Sequence, residues 1–119
     1  MSKTNHCQLI GQFGQDPSKI ITQEGKILSS FSFATHDARK DTTGQYQQIT
    51  DWHNVVAFGK TAELICQYMT KGSKAMITGK LSTRQYTDKQ GHNRFVTEII
   101  VEDILFLSQK QKENNEPTQ

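Results

Sequence analysis

Two cysteines, one tryptophan and no long apolar run mark this 119-residue chain, and each scarcity excludes something. Cys7 and Cys66 lie in apolar runs with no CxxC spacing, so neither a disulfide framework nor a thiolate metal site is expected; they read as two buried thiols in a reducing compartment. No stretch approaches ~18 apolar residues, and the opening MSKTNHCQLIG has no apolar block long enough for a signal peptide. A soluble, cytoplasmic protein is expected, with no membrane partner. Walker-type loops and nucleophile elbows are missing too, and Gly11, Gly14 and Gly25 are spaced for turns. His36-Asp37 and Asp51-x-His53 are the residues that could meet as metal ligands on adjacent strands, but no glutamate-histidine pair at i, i+4 supports them. No catalytic residue, metal or cofactor is therefore expected, and His92 reads as a solvated turn residue.

Apolar residues make up 34% of the chain, little for a globular protein, while charged residues at 22% are ordinary. That balance favours a barrel or sandwich with a wet surface over a thick helical core, and self-association would bury what the monomer leaves exposed. The length suits one domain. The net charge of +2 is unevenly spread: residues 60–94 hold seven basic side chains against Glu63 and Asp88, a surplus of five. A local field of that kind attracts a polyanion, although a solvated lysine-rich face would give the same count.

Apolar and polar residues alternate in short runs along the chain. In NHCQLIGQF, residues 5–13, Cys7, Leu9 and Gly11 share one side against Gln8 and Ile10, which predicts a half-buried strand. GQDP breaks it, a short extended piece follows at 19–22, and QEGK turns the chain. Ile27, Ser29, Phe31, Phe33 and Thr35 line one face of a strand over 27–36. DARKDTTGQ reads as a polar hairpin loop with Gly44 at positive φ, and residues 46–58 form the next strand. A helix is expected over 60–69, with Ala62, Ile65 and Met69 at i, i+3 and i+7 and Lys71-Gly72 ending it. Strands over 73–81 and 95–107 follow, joined by RQYTDKQGHNR, whose DKQG predicts a hairpin turn.

Three strands, a helix and two strands give the order of an OB-fold: all-β with one helix, a five-stranded Greek-key barrel with the helix between strands 3 and 4. A sandwich is the alternative and would have to carry the helix as an insertion. The domain is expected over 1–107. Residues 108–119 hold QKQKENNEPTQ after Ser108, with nothing apolar to bury, and are expected to form a disordered polar tail.

The chemistry concentrates in DWHNVVAFGK, residues 51–60. Strict alternation puts Trp52, Asn54, Val56 and Phe58 on one side of the strand and His53, Val55 and Ala57 on the other. If the second set faces the core, two large rings face outward with Lys60 close behind, whereas a bulge or swapped faces would bury the tryptophan. In the last hairpin Arg84, Tyr86 and Arg94 add one ring and two guanidinium groups. Exposed rings interleaved with cations are what a single nucleic-acid strand needs, since every base can stack on a ring and every phosphate needs a positive partner.

The sequence resembles the bacterial single-stranded DNA-binding protein family over about residues 4–107. The matching stretches are LIGQFGQDP, FSFAT, TDWHNVVAFGKTAE, YMTKGSKAMITGKL and TRQYTDKQGHNRFVTEIIVEDI, in order and at matching spacing. The resemblance implies sequence-independent binding and protection of single-stranded DNA in replication, recombination and repair, at the nucleoid in the cytoplasm. It implies base stacking by Trp52, Phe58 and Tyr86, and a phosphate path along Lys60, Lys71 and Arg84. It also implies a homotetramer, with His53 at a subunit contact and residues 5–10, among them Asn5, His6, Gln8 and Ile10, pairing with their copy in a second subunit.

Departures from the family pattern temper these expectations. Many members stack a tryptophan where this chain has Ala38-Arg39; Arg39 is the smaller platform or phosphate partner. Tyr86 replaces the more usual tryptophan, and Asn54 lacks the charge common at its position. Weaker or more salt-sensitive binding is the expected result. Cellular members carry a long linker ending in an acidic tip that recruits replication and repair enzymes, whereas this chain ends NNEPTQ. That ending fits an accessory, phage-borne or mobile-element copy, or a shortened chain. An OB-fold module that assembles with a replication-restart or recombination protein and touches DNA weakly is the competing function.

Overall fold

The period-two pattern becomes a ladder of strands in the computed structural model, which describes residues 4–108. In chain order the elements are β1 (Cys7–Phe13), β2 (Ser18–Ile21), β3 (Ile27–Lys40), β4 (Tyr46–Phe58), α1 (Gly59–Tyr68), β5 (Lys74–Thr87) and β6 (Asn93–Phe106). The strands run β1-β5-β6-β4-β3, and a β1–β3 pairing at Gln12↔Ala34 and Phe13↔Phe33 closes the ring, leaving β2 on the outside of β3. This is the five-stranded barrel that the order of elements predicts, with α1 between its third and fourth strands. The short piece expected at 19–22 is β2, in antiparallel register with β3.

Inward-facing residues meet in one core of Phe13, Phe31, Phe33, Val55, Ala57, Ile77, Ile99 and Val101. Phe13 and Phe31 stack with ring centroids 4.4 Å apart, and Phe33 meets Phe13 edge-on at 5.6 Å. The apolar stripe of α1, Ala62 and Ile65, is fully buried in the same cluster, so the helix plugs one end of the barrel. It starts and stops one residue earlier than the spacing predicts, because Met69 leaves the helix in an extended conformation while its side chain stays in the core.

The greater difference lies in strand length. β3 runs on to Lys40 and β5 to Thr87, well past the expected ends at 36 and 81, so much of each expected loop is ladder. Beyond the barrel these are two-stranded arms with water on both faces, and such ribbons need no apolar alternation. Three hairpins share one five-residue turn: Thr22 to Lys26, Asp41 to Gln45 and Asp88 to His92. In each the first side chain caps the turn from within, and the fourth residue is glycine at φ 85, 89 and 85 respectively. The left-handed conformation expected at Gly44 is there.

β6 carries an irregularity opposite Thr78 and Gly79, where the register passes from Asp103 to Val101. The skipped Glu102 reverses parity, so Ile104 and Phe106 face inward below it and Ile99 and Val101 above it. Ser108, expected as the first tail residue, is tied to β5 by a 2.7 Å bond from the Lys74 amide to its hydroxyl. The rest of that expected tail lies outside the described residues.

Candidate nucleic-acid interface

The thirteen residues of β4 pair with β3 without interruption from Phe58↔Leu28 to Tyr46↔Lys40. With no bulge, the parity set inside the barrel holds to the tip of the arm. Val55 and Ala57 point inward and are buried; Trp52 and Phe58 point outward at 62% and 48% exposure. Val56 faces outward too but is covered, because Leu28, Ser30, Ile100 and Phe58 line the same shallow groove around it. Asn54 is exposed on Trp52's side.

Trp52 rests on the turn that follows β1. A Cβ built on Gly14 would stand 2.3 Å from Trp52 Cζ3 and 3.1 Å from Cη2, so the indole lies over bare backbone. The Gly14 amide donates to the Ser32 carbonyl at 2.8 Å, which fixes that backbone against β3. Two residues on, Asp16 Oδ1 accepts from the Lys71 amide at 2.8 Å and the Thr70 hydroxyl at 2.6 Å. The turn that carries Lys71 is thereby tied to the loop on which Trp52 rests. Lys60 is exposed in the first turn of α1, two residues past Phe58, and among the described residues neither lysine enters an ion pair.

The outward face of the β5–β6 arm presents Arg84, Tyr86 and Arg94, with Tyr86 directly opposite Arg94 in register and 43% exposed. Arg84 lines the groove beside Phe58, and its guanidinium carbon lies 5.9 Å from the Tyr86 ring centroid. Both guanidiniums are already engaged. Arg84 Nε and Nη2 donate to the two carboxylate oxygens of Glu98 at 3.0 and 3.3 Å, and that hydrogen bond, then Glu98's charge, pushes the Arg84 pKa up. Arg94 Nε donates to Asp88 Oδ2 at 2.9 Å, the largest of the bonds that hold the Asp88 carboxyl below its usual range.

Not every expected residue joins this face. Arg39 pairs with Gln47, one step out of phase with Trp52, and so belongs to the opposite side of the β3–β4 arm; the cation on Trp52's side is Lys40. His53 points inward, half-buried, its Nε2 sharing a 2.9 Å hydrogen bond with the Thr35 hydroxyl. Asn5 is bound within its own chain, donating to the Leu81 carbonyl at 2.8 Å and accepting from the Leu81 amide at 2.9 Å. His6, Gln8 and Ile10 are exposed. Beside them β1 pairs with β5 on one edge, while residues 7–11 have no strand on the other among the described residues.

The metal alternative does not assemble. His36 Nδ1 bonds the Thr50 hydroxyl at 3.0 Å, His53 bonds Thr35, and no group of three potential ligands occurs among the described residues. Cys7 and Cys66 are free and half-buried rather than wholly buried. Burial pushes the Cys7 thiol up, Glu102 adds to that, and a Gly79 backbone bond opposes it. Cys66 Sγ contacts the Ser29 hydroxyl at 3.5 Å.

Comparison with known proteins decides the family: residues 4–107 match the Single-strand binding protein family. The chain belongs to that family. Single-stranded DNA-binding protein 1 of Xylella fastidiosa (strain 9a5c) is 40% identical over 115 residues, spanning 96% of this chain and 85% of the relative. Single-stranded DNA-binding protein 1 of Chlorobaculum tepidum is 39% identical over 107 residues, 89% of this chain and 66% of the relative. Among solved structures, a Plasmodium falciparum SSB complex with ssDNA matches at a TM-score of 0.80 and 31% identity, covering 91% of this chain and 98% of that one.

For this member of the single-strand binding protein family, three features of the face went unread in the sequence. Glu98 and Asp88 neutralise the arm's two arginines, and only the cross-strand register brings them within reach. Gly14, read as a turn residue, is the seat of Trp52. Tyr46, read only as the first residue of a strand, is 72% exposed at the end of the β3–β4 arm; its parity with Trp52 was the available signal.

Proposed function

We propose that this protein binds single-stranded DNA without regard to sequence, holding and protecting it during replication, recombination and repair. One observation carries the proposal: Trp52 and Phe58 stand exposed on the same outward face of an unbroken strand whose opposite face is core. Rings presented this way stack on bases of any identity, at ~1–3 kcal/mol per base. The relatives named as single-stranded DNA-binding proteins and the structural neighbour in complex with ssDNA support the same reading.

Trp52, Phe58 and Tyr86 are the stacking residues in this proposal, and Asn54 supplies a polar contact between the first two. Lys60 and Lys71 meet phosphates. Arg84 and Arg94 reach phosphate by exchanging Glu98 and Asp88 for it, so they contribute less than two free cations would. Arg39, on the far side of its arm, meets only a strand that wraps around the ribbon. No catalytic step is part of the proposal. No described helix is long and apolar enough to cross a membrane.

Self-assembly belongs to the same proposal. The edge of β1 over residues 7–11, unpaired among the described residues, suits pairing with a second copy, with Gln8 and Ile10 exposed beside it. A homotetramer is the proposed state, and sedimentation mass reads it directly.

The test uses the single tryptophan. Titration with oligo-thymidine should strongly quench Trp52 fluorescence, and Trp52→Ala should weaken binding by ~1–3 kcal/mol while the fold stays intact. Unmoved emission together with a negative gel shift at ~50 mM salt, where phosphate contacts are little screened, would rule the proposal out.

A further inference from the structure

We infer that Tyr46 is a further base-stacking residue, which carries the single strand off the barrel and out along the β3–β4 arm. The inference rests on the proposed DNA binding and extends its path. Tyr46, Trp52 and Phe58 lie at intervals of six residues on one strand, and an even interval in an unbroken ladder puts all three on one face. At about 3.3 Å per residue the rings follow one another at about 20 Å, in a row of about 40 Å. The molecule measures 46 × 45 × 35 Å, so a row of that length is comparable to the molecule itself.

The surroundings of Tyr46 repeat those of the barrel platforms. Its ring is the most exposed of the three, and its register partner is Lys40, whose Nζ lies 5.7 Å from the ring centroid. A cation beside an open aromatic face offers a base and its neighbouring phosphate adjacent contacts. Between Tyr46 and Trp52 the same side carries Ala38, Gln48, Thr50 and His36, with no carboxylate among them. Asp37 and Asp51 take the other parity, opposite Ile49 and Thr35. This arm thus holds its own ring, on the strand opposite the Ala38-Arg39 pair where the family resemblance would place one, with Ala38 its diagonal neighbour on the same face.

A ladder of oligo-thymidines of about 4 to 16 nucleotides, the span one such fold occupies, tests the inference on the full chain. Tyr46→Ala should leave Trp52 quenching by the shortest binding oligomer as in the unsubstituted protein. It should weaken the longest by about 5- to 150-fold, the value of one stacked base, and Tyr46→Phe should restore it. Equal affinity of Tyr46→Ala and the unsubstituted protein at every length overturns the inference while Trp52 quenching upholds the proposed function. A changed sedimentation mass with no length-dependent loss also overturns it, by making Tyr46 a subunit contact. Failure of the unsubstituted protein to bind any oligomer sinks both.

Discussion

Gly14→Ala puts the seat of Trp52 to a direct test. The backbone of Gly14 is outside the left-handed region, so alanine carries no conformational penalty there, and the amide bond to Ser32 is retained. The new methyl would lie 2.3 Å from Trp52 Cζ3 and 2.6 Å from Ser32 Oγ, where carbon atoms in contact keep about 3.5–4.0 Å. The serine can rotate. The ring cannot be compressed, and it must move by more than about 1 Å. Because one side of Trp52 is open to water, the indole can swing outward, costing about 0.5–1.5 kcal/mol for a strained rotamer. Chemical denaturation should read that small loss. The larger effect falls on binding: a displaced ring forfeits up to the ~1–3 kcal/mol of its stacked base. Oligo-thymidine titration should show weaker binding and shallower quenching, and the free protein's emission should shift as the indole leaves its seat. Unchanged emission and affinity would refute the packing argument. A fall in stability of several kcal/mol would mean that Gly14 serves barrel closure instead.

Other expectations follow from the same geometry. A Cβ on Gly11 would meet the Ala34 carbonyl oxygen at 2.0 Å, where β1 closes on β3, so Gly11→Ala should cost about 1–3 kcal/mol in denaturant unfolding, since backbone cannot step aside as an indole can. Glu98→Gln removes the charge that holds Arg84. Affinity for single strands should rise at low salt, and the logarithmic salt slope should steepen by about 0.7 if the freed guanidinium takes one phosphate. An unchanged slope would show that Arg84 never reaches the backbone. Asp88, held below its usual range first by the Arg94 bond and then by backbone amides of its own turn, stabilises the β5–β6 arm fully above about pH 4. That contribution fades as pH falls through the lowered folded value. The protection of the Gln90 and His92 amides against hydrogen exchange, taken relative to the intrinsic rate at each pH, should fall in acid, and in Asp88→Asn at neutral pH; protection indifferent to both would contradict the assignment.

The barrel was legible because burial imposes a period. Phe31, Phe33, Val55 and Ala57 alternate since one face of each strand is core, and Ala62, Ile65 and Met69 recur at helical spacing for the same reason. The outward rings followed once that inward set was assigned. The arms were not legible, because a ribbon wetted on both faces obeys no such pattern, and four residues of β3 and six of β5 passed for loop. The arginine partners escaped notice for another reason. Arg84 and Glu98 are fourteen positions apart and meet only through the hairpin register, which turn chemistry sets and composition does not. The side of the ribbon that Arg39 takes was not legible either, since it is defined by counting back from Val55 and not by its own neighbours.

The three hairpin turns lie at exposed tips where added residues can loop out into water, but β4 has no such freedom. Inserting or deleting a single residue between Trp52 and Phe58 would act as a frameshift in space, turning Trp52 towards the phenylalanine side of the sheet while Phe58 still faced water. Changes in this stretch are therefore tolerated in pairs. The strand works as a ruler with two-residue graduations, and length variants between Trp52 and Phe58, sorted by odd and even count, should divide into those that bind and those that lose the Trp52 platform.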